Sequence, residues 1–316
     1  MSTTEPRSSA PPTTHDPRPT THEGQTFAGE SLLVRYVNFV KLPHTLFALP
    51  FALLGVLAAS RVEPVTARTV LLVILAFSAA RWAAMGFNRV ADVRFDAANP
   101  RTCNRELPRG ALTLAHAWAS IAMAAALFVL AAWLINPLCF LLSPVALGWV
   151  LAYSLTKRFT WWPHLWLGLG LAIAPVGGYL AVTGHWSRPA WLLLAVTLGV
   201  ATWVAGFDIF YALPDEGFDR EHGLRSAVVR LGERRAILLA KLLHGITVPA
   251  LALFGWGAGF GPWYFAGLVV AAGILAYEHR LVRPGDLSRL DAAFFTMNGV
   301  MSVTVFAFAL VDRVAA

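Results

Sequence analysis

Nine apolar runs of roughly 17–25 residues follow one another along this chain, each long enough to cross a ~30 Å hydrocarbon layer as a helix. They lie near 38–60, 69–91, 113–134, 137–155, 164–183, 190–211, 236–256, 261–277 and 292–311. Inside hydrocarbon a backbone must satisfy its own hydrogen bonds, so such runs fold as spanning helices. The composition agrees, with 57% of the 316 residues hydrophobic and only 14% charged. A water-soluble domain of this size needs far more charged surface. The expected fold class is all-α, a polytopic membrane protein of nine transmembrane helices formed by residues 29–316. Residues 1–28 are rich in Ser, Thr and Pro and lack apolar periodicity, which predicts a disordered tail. That tail has no apolar core of a cleaved signal, so the first span is expected to direct insertion.

The basic residues set an orientation. Fifteen Arg and Lys residues, from Arg94 to Arg289, fall in the loops between spans 2–3, 4–5, 6–7 and 8–9. The opposite loops hold only Arg61, Arg68 and Arg188. The positive-inside rule then predicts a cytoplasmic N-terminus. It also accounts for most of the net charge of +7, so no nucleic-acid partner is implied. Cys103 and Cys139 are expected on opposite sides of the membrane, which argues against a disulfide. The histidines show no metal-site spacing.

Two acid clusters interrupt the apolar pattern, each where a long run ends. The first is Asn88-Arg-Val-Ala-Asp92-Val-Arg-Phe-Asp96, the second Asp208-Ile-Phe-Tyr-Ala-Leu-Pro-Asp215-Glu-Gly-Phe-Asp219. Carboxylates beside hydrocarbon are costly and are read as functional by default. Spacings of four and seven bring each set onto one helical face. Pro214 and Gly217 are expected to bend or end the second helix. Both clusters belong to the predicted cytoplasmic side, and each precedes a long polar loop, which suggests a weak twofold repeat. Two facing sets of oxygen donors suit Mg²⁺ holding a diphosphate. The candidate metal ligands are Asn88, Asp92, Asp96, Asp208, Asp215 and Asp219. Asp92, Asp96, Asp215, Asp219 and Lys157 are the candidate catalytic residues.

Cations suited to phosphate oxygens surround the clusters. Arg105 follows the first and Arg225 the second, while Lys157 and Arg158 come after Tyr153 in a compact polar patch ending span four. Arg105, Arg158, Arg225 and Tyr153 are the candidate diphosphate-binding residues, although arginines here also set topology. Arg81 lies seven residues before Asn88, deeper on the same face. It either anchors an acidic group on a second substrate or makes a fixed contact within the bundle. His44 and Asn298 either face the cavity, as substrate-binding residues, or hydrogen-bond between helices.

These motifs resemble the UbiA superfamily of intramembrane aromatic prenyltransferases over roughly residues 34–311. Asn88-x-x-x-Asp92-x-x-x-Asp96 is similar to its first Asp-rich motif. Asp208-x-x-Tyr211-Ala212-x-x-Asp215-x-x-x-Asp219, followed by His222-x-x-Arg225-Ser226, is similar to its second. The resemblance implies nine helices around a central cavity, Mg²⁺ as cofactor and a polyprenyl diphosphate donor. Lys41-Leu-Pro-His44-Thr45, Asn88-Arg89 and the segment from Asn99 to Pro108 further resemble a menaquinone-pathway branch called MqnP. That branch implies a naphthoate acceptor, with 4-hydroxybenzoate and ubiquinone synthesis as the alternative, in the inner membrane of a bacterium. A transporter is the alternative from another class; it would not need two Asp-rich ends.

Overall fold

The computed structural model describes residues 31–290 and 296–315, without the side chains of 42–47. The tail at 1–28 and the ninth span's residues 291–295 therefore lie outside the described residues. The chain opens with α1 (Leu32–Phe39) and α2 (Leu42–Ala59), followed by α3 (Ala67–Ala91) and the short α4 (Val93–Ala98). Next come α5 (Leu114–Ile135), α6 (Pro137–Thr156), α7 (Pro163–Thr183) and α8 (Trp191–Ala212). Two short helices, α9 (Glu216–Glu221) and α10 (Ala227–Leu231), precede α11 (Glu233–Gly257), α12 (Pro262–Leu281) and α13 (Asn298–Ala315). Among the described residues, α2, α3, α5, α6, α7, α8, α11, α12 and α13 match the nine runs. Seven of these are long and apolar enough to cross a membrane; α2 and α12 are not among the seven. α12 carries Glu278, His279 and Arg280 in its last turns.

Local chemistry places the helix starts. Thr66, Thr113 and Asn136 each accept a hydrogen bond from the backbone N–H three residues on, at 3.1, 3.2 and 2.8 Å. Such caps satisfy amides that the first turn leaves unpaired. Pro137, Pro163 and Pro262 open their helices, where a missing N–H costs nothing. The first predicted run is not one helix. It divides into α1 and α2 at Lys41, whose φ of 47° is left-handed.

The long helices form a closed ring in chain order, with α13 packing back onto α2. α2 also packs on α7, and α7 on α8. α8 is the most enclosed helix, with most residues from Leu192 to Phe210 buried. Trp203 lies against Phe51 with ring centroids 4.9 Å apart, joining α8 to α2. Without water to drive helices together, close approach depends on small residues. A Cβ on Gly178 would stand 2.1 Å from the Ala52 carbonyl oxygen, and one on Gly168 2.2 Å from that of Ala201. These glycines seat α7 against α2 and α8. The outward surface is apolar, as lipid requires: Met123, Leu141, Val145, Trp256 and Val269 are all about 70% exposed.

Gly178→Ala should therefore lower the thermal unfolding temperature in detergent well beyond Gly245→Ala, whose Cβ would meet nothing within 4 Å. Overpacking of this kind costs roughly 1–3 kcal/mol. Equal melting of the two variants would rule out the close α2–α7 approach.

Candidate active site

Both acid clusters come to the same end of the ring, and each carboxylate there has a polar partner. α3 gives way to α4 at Asp92 rather than running through, yet the Asp92 and Asp96 amides still bond to the carbonyls four residues back. Asn88, Asp92 and Asp96 thus stay in helical register. Asn88 Nδ2 donates to Asp92 Oδ2 at 3.1 Å, and the Arg158 guanidinium lies 3.6 Å from Asp92 Oδ1. Arg105 holds Asp96 Oδ1 at 2.6 Å. In the second cluster the helix bends instead of ending, through a 3₁₀ turn at Leu213–Asp215 that contains Pro214. Asp215 and Asp219 follow within that turn and α9.

The two clusters are physically joined. Arg101, on the loop after the first, grips Asp215 of the second with Nε at 3.0 Å and Nη2 at 2.5 Å. Asn99 Nδ2 donates to the same carboxylate at 3.2 Å, and Arg101 Nη1 donates to the Tyr211 hydroxyl at 3.2 Å. Lys157 donates to Asp219 at 3.0 Å. Burial alone would lower the Lys157 pKa, but Asp219 and then Asp215 outweigh it and hold the ammonium above its ordinary value. Burial, and then the neighbouring Asp96 charge, push the Asp92 carboxyl up to about 6. Lys157 counts among the charges acting on carboxylates of both clusters, so it stands between them.

Can this donor set take Mg²⁺? Among the described residues, no three His, Cys, Asp or Glu side chains converge closely enough to hold an ion as they stand. The donors are nonetheless hard carboxylate and amide oxygens of the kind Mg²⁺ prefers. Asp96 Oδ2 is buried with no hydrogen-bond partner, and an unpaired carboxylate oxygen among basic groups fits a cation-binding role. The residues present fit the metal.

Beside the acidic end a cavity lies in the apolar layer between α2, α3, α5, α6 and α7. Arg81, Asn88 and Tyr153 are its polar wall near that end; most of the rest is aliphatic or aromatic. Arg81 Nε is buried without a hydrogen-bond partner, and such an orphaned donor calls for an anion or carbonyl. Asn88 both lines the cavity and donates to Asp92, so the cavity and the acid end adjoin there.

Other candidates are placed elsewhere. Asn298 does not line this cavity. It is buried, accepts from Trp203 Nε1 at 2.8 Å and donates to Glu278 at 3.2 Å. Its hydrogen bonds join α13 to α8 and α12, the interhelical of the two roles its place in a span left open. Arg225 turns outward to the Phe159 carbonyl at 2.8 Å and lies over the Trp161 ring. Its backbone N–H bonds to the Lys157 carbonyl, so it braces the loop that carries Lys157. The side chain of His44 lies outside the described residues. Asp208 is held by His164 Nδ1 at 2.7 Å. His164 was not singled out from the sequence; it sits 44 residues earlier with no local pattern. Nor does spacing reveal that His244 and His279 meet at 3.0 Å near the buried Glu278. Both cysteines are free.

An all-helical membrane ring with two Asp-rich ends gathered beside one apolar cavity defines a class, the intramembrane enzymes that hold a diphosphate against a lipid tail. The chain belongs to the UbiA prenyltransferase family, whose model matches residues 48–300, and it is a prenyltransferase enzyme. A 4-hydroxybenzoate octaprenyltransferase of Aromatoleum aromaticum is 33% identical over 231 residues, covering 72% of this chain and 76% of that protein. A UbiA homolog from Aeropyrum pernix superposes with a TM-score of 0.78 at 31% identity, over 85% of this chain and 98% of that one. A UbiA homolog from Archaeoglobus fulgidus, bound to GPP and Mg²⁺, shares the fold with a TM-score of 0.66 at 20% identity, over 89% and 100%.

The Arg101–Asp215 contact predicts a coupled pair. With divalent ions chelated, Arg101→Met should cost about 2 kcal/mol, below the ~3–5 of a fully buried pair because both groups keep some water. Adding Asp215→Leu should recover most of the loss in melting temperature, whereas additive losses would show the two to be uncoupled.

Proposed function

We propose that this enzyme transfers a polyprenyl group from a polyprenyl diphosphate to a ring carbon of a hydroxylated aromatic acid, with Mg²⁺ bound among Asn88, Asp92, Asp96, Asp208, Asp215 and Asp219. The observation that carries this reading is that Asn88 both lines the apolar cavity and donates to Asp92 of the carboxylate and cation cluster. A donor with a charged head and a long apolar tail matches that division. Among acceptors, the name of the Aromatoleum relative supports 4-hydroxybenzoate and ubiquinone synthesis. It favours that acceptor over the naphthoate expected from the resemblance at residues 41–50, 88–89 and 99–108. The positive-inside bias supports a cytoplasmic active site in a bacterial inner membrane.

The residues divide the work. Arg101, Arg105, Lys157 and Arg158 are the basic groups already beside the carboxylates, so they can turn to the oxygens of an incoming diphosphate. Their charge stabilises the anion that leaves as the donor's carbon–oxygen bond breaks. Bound Mg²⁺ would add Lewis-acid charge to the same oxygens. The apolar walls exclude water from the allylic cation. Tyr153 lines the cavity's polar end, where an aromatic ring can shield that cation. Arg81, with its unpartnered Nε, would take the acceptor's carboxylate and present the ring carbon to the cation. A carbon–carbon bond forms, and the ring carbon then passes its proton to the released diphosphate.

The first test is prenyl transfer in isolated membranes, offering 4-hydroxybenzoate and 1,4-dihydroxy-6-naphthoate side by side and identifying products by mass. Product from the benzoate is expected; product from the naphthoate alone would replace that acceptor. Asp92→Ala and Asp215→Ala should each reduce transfer at least a hundredfold while inserted protein remains, and full activity in both would refute the metal role. Arg81→Ala should raise KM for the acid at least tenfold more than for its decarboxylated analogue, phenol. Equal effects on both would remove Arg81 from acceptor binding.

A further inference from the structure

Asp92, Asp96, Asp215 and Asp219 each lie beside an arginine or lysine, whereas Asp208 is held by His164. The two kinds of partner differ in their freedom to leave. Lys157 and Arg158 keep 31% and 43% of their side chains exposed, while the His164 ring keeps 2%. A long basic side chain can turn from a carboxylate to a phosphate. A ring packed between helices stays where it is.

His164 is the second residue of α7, and its surroundings fix that ring. Trp166, two residues on, stacks against Trp149 of α6 with ring centroids 4.1 Å apart. Each indole N–H of that pair donates to the other residue's backbone carbonyl, at 3.2 and 3.0 Å. One turn along α7 from His164, Gly168 meets the Ala201 carbonyl oxygen so closely that a Cβ there would collide with it. Ala201 lies two turns before Asp208 on α8, so the same close approach brings the ring to the carboxylate. Asp208 Oδ2 accepts from His164 Nδ1 at 2.7 Å. An ionised carboxylate only accepts, so Nδ1 carries the hydrogen of this bond. His164 Nε2 is buried without a hydrogen-bond partner, which leaves Asp208 as the ring's one polar tie.

Asp208 stands with the other acids, since it acts on the Lys157 ammonium together with Asp219 and Asp215. With Oδ2 committed to His164, it has one oxygen, Oδ1, to offer a cation. That restriction suits Mg²⁺, which takes single oxygens in a near-ideal octahedron at ~2.0–2.1 Å. Ca²⁺ is larger, gathers ~6–8 oxygens at ~2.3–2.6 Å and can draw two of them from one carboxylate. We propose that His164 determines ion specificity: by holding Asp208 Oδ2 it keeps this ligand monodentate and sets the site against Ca²⁺. The proposal rests on the reading of Asp208 as a metal ligand and adds what selects the ion. His164 acts through Asp208, as a positioning residue.

The test reads metal binding, in full-length protein in detergent with geranyl diphosphate and no acceptor. Mn²⁺, which shares the octahedral oxygen coordination of Mg²⁺, is titrated through the paramagnetic resonance of the free ion. Ca²⁺ is then added to displace it, and the readout is the ratio of the Ca²⁺ to the Mn²⁺ dissociation constant. His164→Leu removes the donor and frees Oδ2, and it should lower that ratio roughly tenfold. His164→Ala removes the same donor with less bulk and gives the answer where the Leu variant does not fold. His164→Asn keeps an N–H donor near the place of Nδ1 and should retain the unaltered ratio. A merely structural role for His164 would weaken both ions alike. An unchanged ratio in the donor-free variants, or an equal fall in His164→Asn, overturns the proposal. Absence of Mn²⁺ binding by the unaltered protein would instead overturn the metal reading, and the proposal with it.

Discussion

Carboxylates at the edge of hydrocarbon cannot be left alone, and the arrangement of the acidic end follows from that. The cost of an unpaired buried charge is several kcal/mol, and this chain meets it with one cation or polar donor for each acid. Asp96 has Arg105, Asp215 has Arg101, Asp219 has Lys157, and Asp208 has His164. The pairings fix more than charge. Because Arg101 follows the first cluster and Asp215 belongs to the second, their contact ties the loop after α4 to the end of α8. Lys157 brings the end of α6 to the same point. Three distant segments are held together by the requirement that no acid stay unpaired.

The apolar half of the site has a different origin. Glycines let α7 come close to both α2 and α8, and α8 is the most enclosed member of the ring. The first five long helices then enclose space of their own beside it. Small residues act in two ways here. At Gly178 and Gly168 they allow contact, while at Ala80, Ala84, Ala132 and Ala146 they leave the cavity open. The contrast lies in what faces them, a neighbouring backbone in the first case and the cavity in the second.

Much of this could be read from the sequence because the bilayer restricts the choices. Run lengths gave the long helices to within a few residues, and the acids stood out against their apolar flanks. What could not be read depends on contacts between distant segments. The division at Lys41 depends on one left-handed residue. The pairing of His164 with Asp208 joins α7 to α8, and nothing local marks it. Asn298 looked like a lone polar residue in a span, yet Trp203 and Glu278 already satisfy it. Arg225 carries a motif position but spends its guanidinium on a loop carbonyl. Spacing assigns residues to a helix face; it does not say which partner that face meets.

The two ends of the site also differ in what they can contribute to binding. A prenyl tail resting in the bilayer already lies in hydrocarbon, so moving it into an apolar cavity removes little surface from water. The ~0.8 kcal/mol per CH₂ gained on leaving water is therefore not available, and packing alone must hold the tail. Under the proposed function, affinity would come from the charged head, where Arg101, Arg105, Lys157 and Arg158 would exchange carboxylate oxygens for phosphate oxygens. The gain is a difference between two paired states, smaller than the count of contacts suggests. Such an exchange favours a ligand that brings its own divalent cation, because the carboxylates released by the basic side chains then acquire a new partner. The acids and the bases of the cluster are best satisfied together, by a metal and a diphosphate arriving at the mouth of a cavity that excludes water from what lies between them.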